Sequence, residues 1–170
     1  MAKEKHKMTS KTSWRDKVNK PSEPQIKEAS ESMARWGTGK MLIATPLLVE
    51  EVVKNIPEGT VVCGKEIRNE LAKDFDAEFT CPLTTGIFLR IVSEAAEEDR
   101  ANGRTDIAPY WRVVKDDGSL NPKYPGGEEH QAELLAKEGI KTLKIGKKWF
   151  AQPIYDDVAA RKKLFKKLVL

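Results

Sequence analysis

Residues 108–127 read APYWRVVKDDGSLNPKYPGG, and how this stretch is taken decides how the rest of the chain is taken. Pro109-Tyr110-Trp111-Arg112-Val113-Val114 sets two aromatic rings and an arginine side by side. Asp116-Asp117-Gly118 then reads as a turn, and the segment through Pro125, Gly126 and Gly127 as a loop rich in Pro and Gly. Downstream, EEHQAELLAKE (128–138) predicts a helix closed by Gly139. KTLKI and KKWFA alternate around Gly146 and predict a β-hairpin. DDVAARKKLFKKLVL (156–170) predicts a basic amphipathic helix.

Upstream, residues 40–44 predict a short strand. Pro46 then starts a helix whose Leu47, Val49, Val52, Val53 and Ile56 fall largely on one face, with Pro57-Glu58-Gly59 ending it. Ile67, Leu71 and Phe75 recur at helical spacing over 65–75. A third helix begins at Pro82, with Thr84 or Thr85 as its N-cap. Ile87, Ile91, Val92 and Ala95 form its expected buried stripe, and Asn102-Gly103 its end. Two consecutive helices followed by hairpins predict an α+β, mainly helical, winged-helix-like fold. Residues 1–36 are polar, are broken by Pro21 and Pro24, and read as a flexible basic arm from which Trp14 and Trp36 pack back onto the domain. The expected organisation is an arm over 1–36, a domain over 37–140 and a basic extension over 141–170.

The chain has 170 residues, 39% apolar and 33% charged, with a mean hydropathy of −0.54. That supports one domain. No apolar run reaches membrane-span length, and the basic N-terminus has no apolar stretch behind it, so a cytoplasmic, non-membrane protein is expected. Cys63 and Cys81 are the only cysteines, and no Cys/His cluster has zinc spacing, so neither metal nor cofactor is expected. The net charge of +4 is uneven: +5 over residues 1–40, −8 over 41–140 and +7 over 141–170. Positive ends suit a nucleic acid, while the acidic middle argues against the simplest form of that reading.

Three blocks in order carry a resemblance. They are Ile56-Pro57-Glu58-Gly59-Thr60-Val61 with Glu66-Ile67, then PYWRVV, then Asp117-Gly118-Ser119-Leu120 with Gly126-Gly127 and Leu134-Leu135 before Glu138-Gly139. Over residues 41–140 the chain resembles the C-terminal DNA-binding domain of the methylated-DNA–protein cysteine methyltransferases and their catalytically silent alkyltransferase-like relatives. The resemblance implies that Tyr110 stands at the family's nucleophilic cysteine and Trp111 at its histidine. A phenol with a pKa near ~10 is a poor nucleophile at neutral pH, and an indole is no base, so alkyl transfer is not expected. Gly64 falls at the family's nucleotide-rotating tyrosine, and its arginine finger has no clear counterpart.

Two readings of Tyr110 and Trp111 stay open: an aromatic pair stacking on a flipped base, or side chains filling the old pocket as core. Arg112 is expected in a structural ion pair with an acidic neighbour such as Glu66. Candidate nucleic-acid contacts are Thr84, Thr85 and Arg90 on the third helix and Lys144, Lys147 and Lys148 on the hairpin, with the basic residues of the last helix. Glu94, Glu97, Glu98 and Asp99 would repel phosphates if their face met DNA. The alternative is a protein-interaction module that kept the fold and lost DNA binding, its acidic third helix serving the partner. A third reading is an enzyme using Cys81, placed just before a helix N-terminus where thiols are acidified.

Overall fold

Two short strands each run into a proline that starts a helix, and this repeated step builds the centre of the molecule. The computed structural model describes residues 12–152. Strand β2 (Lys40–Ile43) leads through Thr45 to helix α2 (Pro46–Lys54). Strand β4 (Phe79–Thr80) leads through Cys81 to helix α4 (Pro82–Ala101). The two strands pair in parallel, Met41 opposite Phe79 and Leu42 opposite Thr80, so both helices leave from the same end of the sheet. Proline at the first helical position loses no hydrogen bond, because that N–H has no intrahelical acceptor. The Thr45 side chain accepts from Leu48 N at 3.2 Å and closes the first turn of α2.

Between these units lie β3 (Val62–Cys63) and helix α3 (Gly64–Asp74). Glu66 turns back to accept from Cys63 N at 2.7 Å, so α3 starts on a reciprocal cap. Strand β5 (Val113–Val114) pairs in parallel with β3, which draws the Tyr110–Arg112 turn of 3-10 helix to the start of α3. Helix α5 (Gly127–Lys137) follows the Pro/Gly loop. The antiparallel hairpin β6 (Thr142–Ile145) and β7 (Lys148–Ala151) closes the described chain. Gly126 has φ +74°, and a Cβ there would lie 2.6 Å from His130 Cβ, so only glycine fits this entry to α5.

Helix and strand are mixed, with helix predominating. The main core joins Leu42, Val49, Val53, Ile67, Leu71, Leu89, Val92, Ala96 and Tyr110. A second cluster, with Val61, Cys63, Val114, Leu120 and Leu135, carries the hairpin through Ala151 and Trp149.

Four sequence expectations need correction. Residues 12–36 are not a loose arm. Helix α1 (Trp14–Asn19) packs on α2 and α4, and strand β1 (Gln25–Glu28) pairs antiparallel with β2. The polar residues that made the segment look unstructured are those that fasten it: Arg15 bonds Glu50 and Asp99, and Glu98 accepts from the Trp14 and Arg15 amides at 3.1 and 3.0 Å. Secondly, among the described residues β2 with β4 and β3 with β5 pair in parallel rather than as hairpins, with two helices intervening in each case. Thirdly, Thr84 and Thr85 do not cap α4; both hydroxyls donate back to Cys81 O, at 3.4 and 2.7 Å. Fourthly, Ile87 is 58% exposed; the buried stripe of α4 keeps the expected Val92 and Ala95 and adds Thr85, Leu89 and Ala96. The expected helix over 156–170 lies outside the described residues.

Candidate functional site

Tyr110 is fully buried. Its ring meets Trp111 and Tyr124 edge-on, with centroids 5.4 and 5.1 Å away. Its hydroxyl donates to Glu97 Oε1 at 2.8 Å. Burial first, and then the Glu97 carboxylate, push the phenol well above its ordinary pKa, so it stays protonated at any physiological pH. Tyr110 is therefore a core residue and no nucleophile.

Trp111 is half-buried beside it and donates its indole N–H to Glu138 Oε1 at 3.0 Å. The guanidinium carbons of Arg100 and Arg112 lie 5.5 and 5.8 Å from its ring centre. Gln131, buried on α5, donates to Trp111 O and Val113 O at 3.1 Å each, which fixes the backbone of the turn.

Arg112 pairs with Glu138 rather than with Glu66, whose carboxylate is committed to the start of α3. Nε of Arg112 donates to both Glu138 oxygens at 3.0 Å, and the same side chain reaches Ile56 O. Gly59 N adds a further donor to Glu138 at 3.3 Å. Burial alone would raise the Glu138 carboxyl. Hydrogen bonds from Arg112, Trp111 and Gly59 outweigh it and hold the carboxyl below its ordinary range. The pair ties the PYWR turn to the C-terminal end of α5 and to the loop after α2, which makes it an internal staple.

The acidic run on α4 points inward too. Glu97 receives Tyr110 and Arg100, with His130 Nε2 at 3.4 Å; Glu98 closes the N-terminus of α1; Asp99 receives Arg15. Glu94 is half-buried, and burial foremost raises its carboxyl pKa, against the pull of Arg90. Glu97, Glu98 and Asp99 are thus engaged in bonds within the molecule, while Glu94 is half-buried beside Arg90.

The apolar side chains that α4 exposes lie at its beginning. Leu83 and Ile87 are 60% and 58% exposed. Gly86 and Arg90 share the surface, with Thr84 half-buried at its margin and Thr85 buried beneath it. Lys144, Lys147 and Lys148 are exposed on the hairpin, where Lys148 reaches Asp117 at 3.1 Å and Lys144 lies over Trp149. Helix α4 packs in the main core and the hairpin on the second cluster, so the two sets of candidate contacts stand on different parts of the core. Gly126 and Gly127 serve the entry to α5, both at positive φ.

Cys63 and Cys81 form no disulfide and are buried, which removes the access a reactive thiol needs. Among the described residues, no group of three or more His, Cys, Asp and Glu side chains is placed to hold a metal ion. No helix among them is long and apolar enough to cross a membrane. Sequence reasoning named Glu138 and Glu97 but missed that they hold Arg112 and Tyr110, and missed Arg15 altogether; the partners lie far apart in the chain. Comparison with protein-family models, with curated proteins and with solved structures finds no match for this chain.

Proposed function

We propose that this chain is a non-catalytic nucleic-acid-binding protein on an alkyltransferase-like scaffold, with duplex DNA its favoured partner. Helices α3 and α4 serve as a winged-helix-type pair, and the first turns of α4 are the contacting face. The observation that carries this reading is the sequestration of Glu97, Glu98 and Asp99 in internal bonds. Residues 82–90 carry no acidic side chain of their own, so the exposed start of α4 has Arg90 as its cation, with half-buried Glu94 one turn further on. Apolar side chains such as Leu83 and Ile87 suit base methyl groups and groove walls, and Arg90 suits a phosphate.

Because Tyr110 is core and Trp111 is tied to Glu138, binding proceeds without a flipped base and shows no preference for O6-alkylated guanine. Fluorescence anisotropy with duplexes carrying guanine or O6-methylguanine, over a salt series, tests this. Equal, salt-dependent binding to both is expected, weakened by Arg90→Glu. Tighter binding to the lesion, lost in Trp111→Ala, would restore the base-pocket reading. A second reading, protein docking, draws on the same exposed Leu83–Ile87 pair. Absence of DNA binding at low salt would favour it.

A further inference from the structure

The hairpin lies outside the stretch that resembles the alkyltransferases and takes no part in the α4 surface. Residues 139–152 contain Lys141, Lys144, Lys147 and Lys148 and no acidic residue. Strand β6 pairs with β7 on one side. Strand β7 in turn meets the 118–120 segment, through the Ser119–Phe150 bridge and the Leu120 N to Trp149 O bond at 2.8 Å. Among the described residues no strand pairs with the other side of β6, so a row of backbone N–H and C=O groups is open there.

The side chains along that edge alternate in character. Leu143 and Ile145, each 40% exposed, share the outer face with Phe150 and Lys148, their cross-strand partners. Lys144 is on the opposite face, paired with Trp149. An added strand would therefore meet aliphatic neighbours on one face and a cation on the other, with Lys141 and Lys147 at the two ends. A nucleic acid fits this edge poorly: the hairpin's aromatic rings, Trp149 and Phe150, are half-buried, and its most exposed large apolar side chains are aliphatic.

We propose that the open edge of β6 takes an extended peptide of alternating aliphatic and acidic residues as an added strand. Its aliphatic side chains lie beside Leu143 and Ile145, and its carboxylates face Lys144. Charge makes the chain's own residues 153–170 the weaker occupant, since they carry five Lys and Arg against two Asp.

The experiment is anisotropy of a labelled short peptide of strictly alternating Glu and Val with the full chain. Parallel arms use an analogue N-methylated at alternate amides, an all-Glu peptide and a duplex oligonucleotide. The alternating peptide binds and the N-methylated analogue does not. Lys144→Glu and Leu143→Asp each weaken it about tenfold, whereas Ile87→Asp leaves it unchanged. Equal binding of the N-methylated or all-Glu peptide would overturn strand addition. So would failure of the alternating peptide to bind, or binding that appears only after removal of residues 153–170. Loss of oligonucleotide binding in Lys144→Glu, with peptide binding intact, would assign the edge to nucleic acid instead. The α4 reading is scored separately, by Arg90→Glu on the duplex.

Discussion

Arg112 and Glu138, 26 residues apart in sequence, form a largely enclosed ion pair whose side chains are 13% and 7% exposed. Removing one partner strands the other charge. Arg112→Ala should cost about 3 kcal/mol, read as a lower urea midpoint with unchanged slope. The double change Arg112→Met/Glu138→Leu should recover part of that loss. The pH dependence follows from the lowered Glu138 carboxyl, whose ordinary value is 4.5. Its contribution is fully present above that value and fades as pH falls through the lower folded value. Arg112→Ala should therefore narrow the stability gap to wild type in acid, and a constant gap down to the folded value would contradict the pairing.

Arg15 joins Glu50 and Asp99, whose side chains are 5% and 7% exposed. Without it, two carboxylates face each other in a nearly dry space. Arg15→Met should cost roughly 3 kcal/mol at neutral pH, measured by chemical denaturation. A cost below about 0.5 kcal/mol, the size expected of a surface change, would mean that the N-terminal helix does not dock as described.

Tyr110→Phe keeps the ring packing and loses the hydroxyl bond to Glu97, for about 1 kcal/mol. Tyr110→Cys removes the ring and should cost about 3 kcal/mol or more. It should not confer alkyl transfer even when paired with Trp111→His, because the side chain points into core rather than toward an opening. Mass spectrometry after incubation with an O6-methylguanine duplex reads this directly, and a methylated thiol would refute the filled-pocket description.

On α4, substitutions two positions apart should differ sharply. Ile87→Asp should change stability by no more than about 0.5 kcal/mol, since the side chain stands in solvent. Leu89→Ala should cost about 2–4 kcal/mol from the core. Thermal melts of the two variants against wild type decide the orientation of the helix.

Most of the regular elements were legible in local pattern. The Pro46 and Pro82 helix starts, the Ile67–Leu71 face and the alternation about Gly146 each carry their own signal. Part of the buried face of α4 was missed because Thr85 and Ser93 are polar yet buried, while Val92 and Ala95 lie on it as expected. Their hydroxyls are satisfied by Cys81 O and Arg90 O, so a stripe counted from apolar residues alone leaves Thr85 and Ser93 out and takes in the exposed Ile87 instead. Of the candidate site, the aromatic pair and Arg112 stood out, while the carboxylates that hold them did not. Glu97 and Glu138 look like any solvated glutamate until the fold brings Tyr110 and Arg112 to them. The docking of α1 depends on bonds spanning 83 and 84 residues, where neither period nor propensity reaches.

That span has a consequence for how the protein comes into being. The segment around Trp14 and Arg15 is made well before Glu98 and Asp99, which receive it 83 and 84 residues further along. Until translation has passed the end of α4, Arg15 has Glu50 but not Asp99, and the Trp14 and Arg15 amides lack their Glu98 acceptor. Helix α1 is thus fully docked only after α4 has been made.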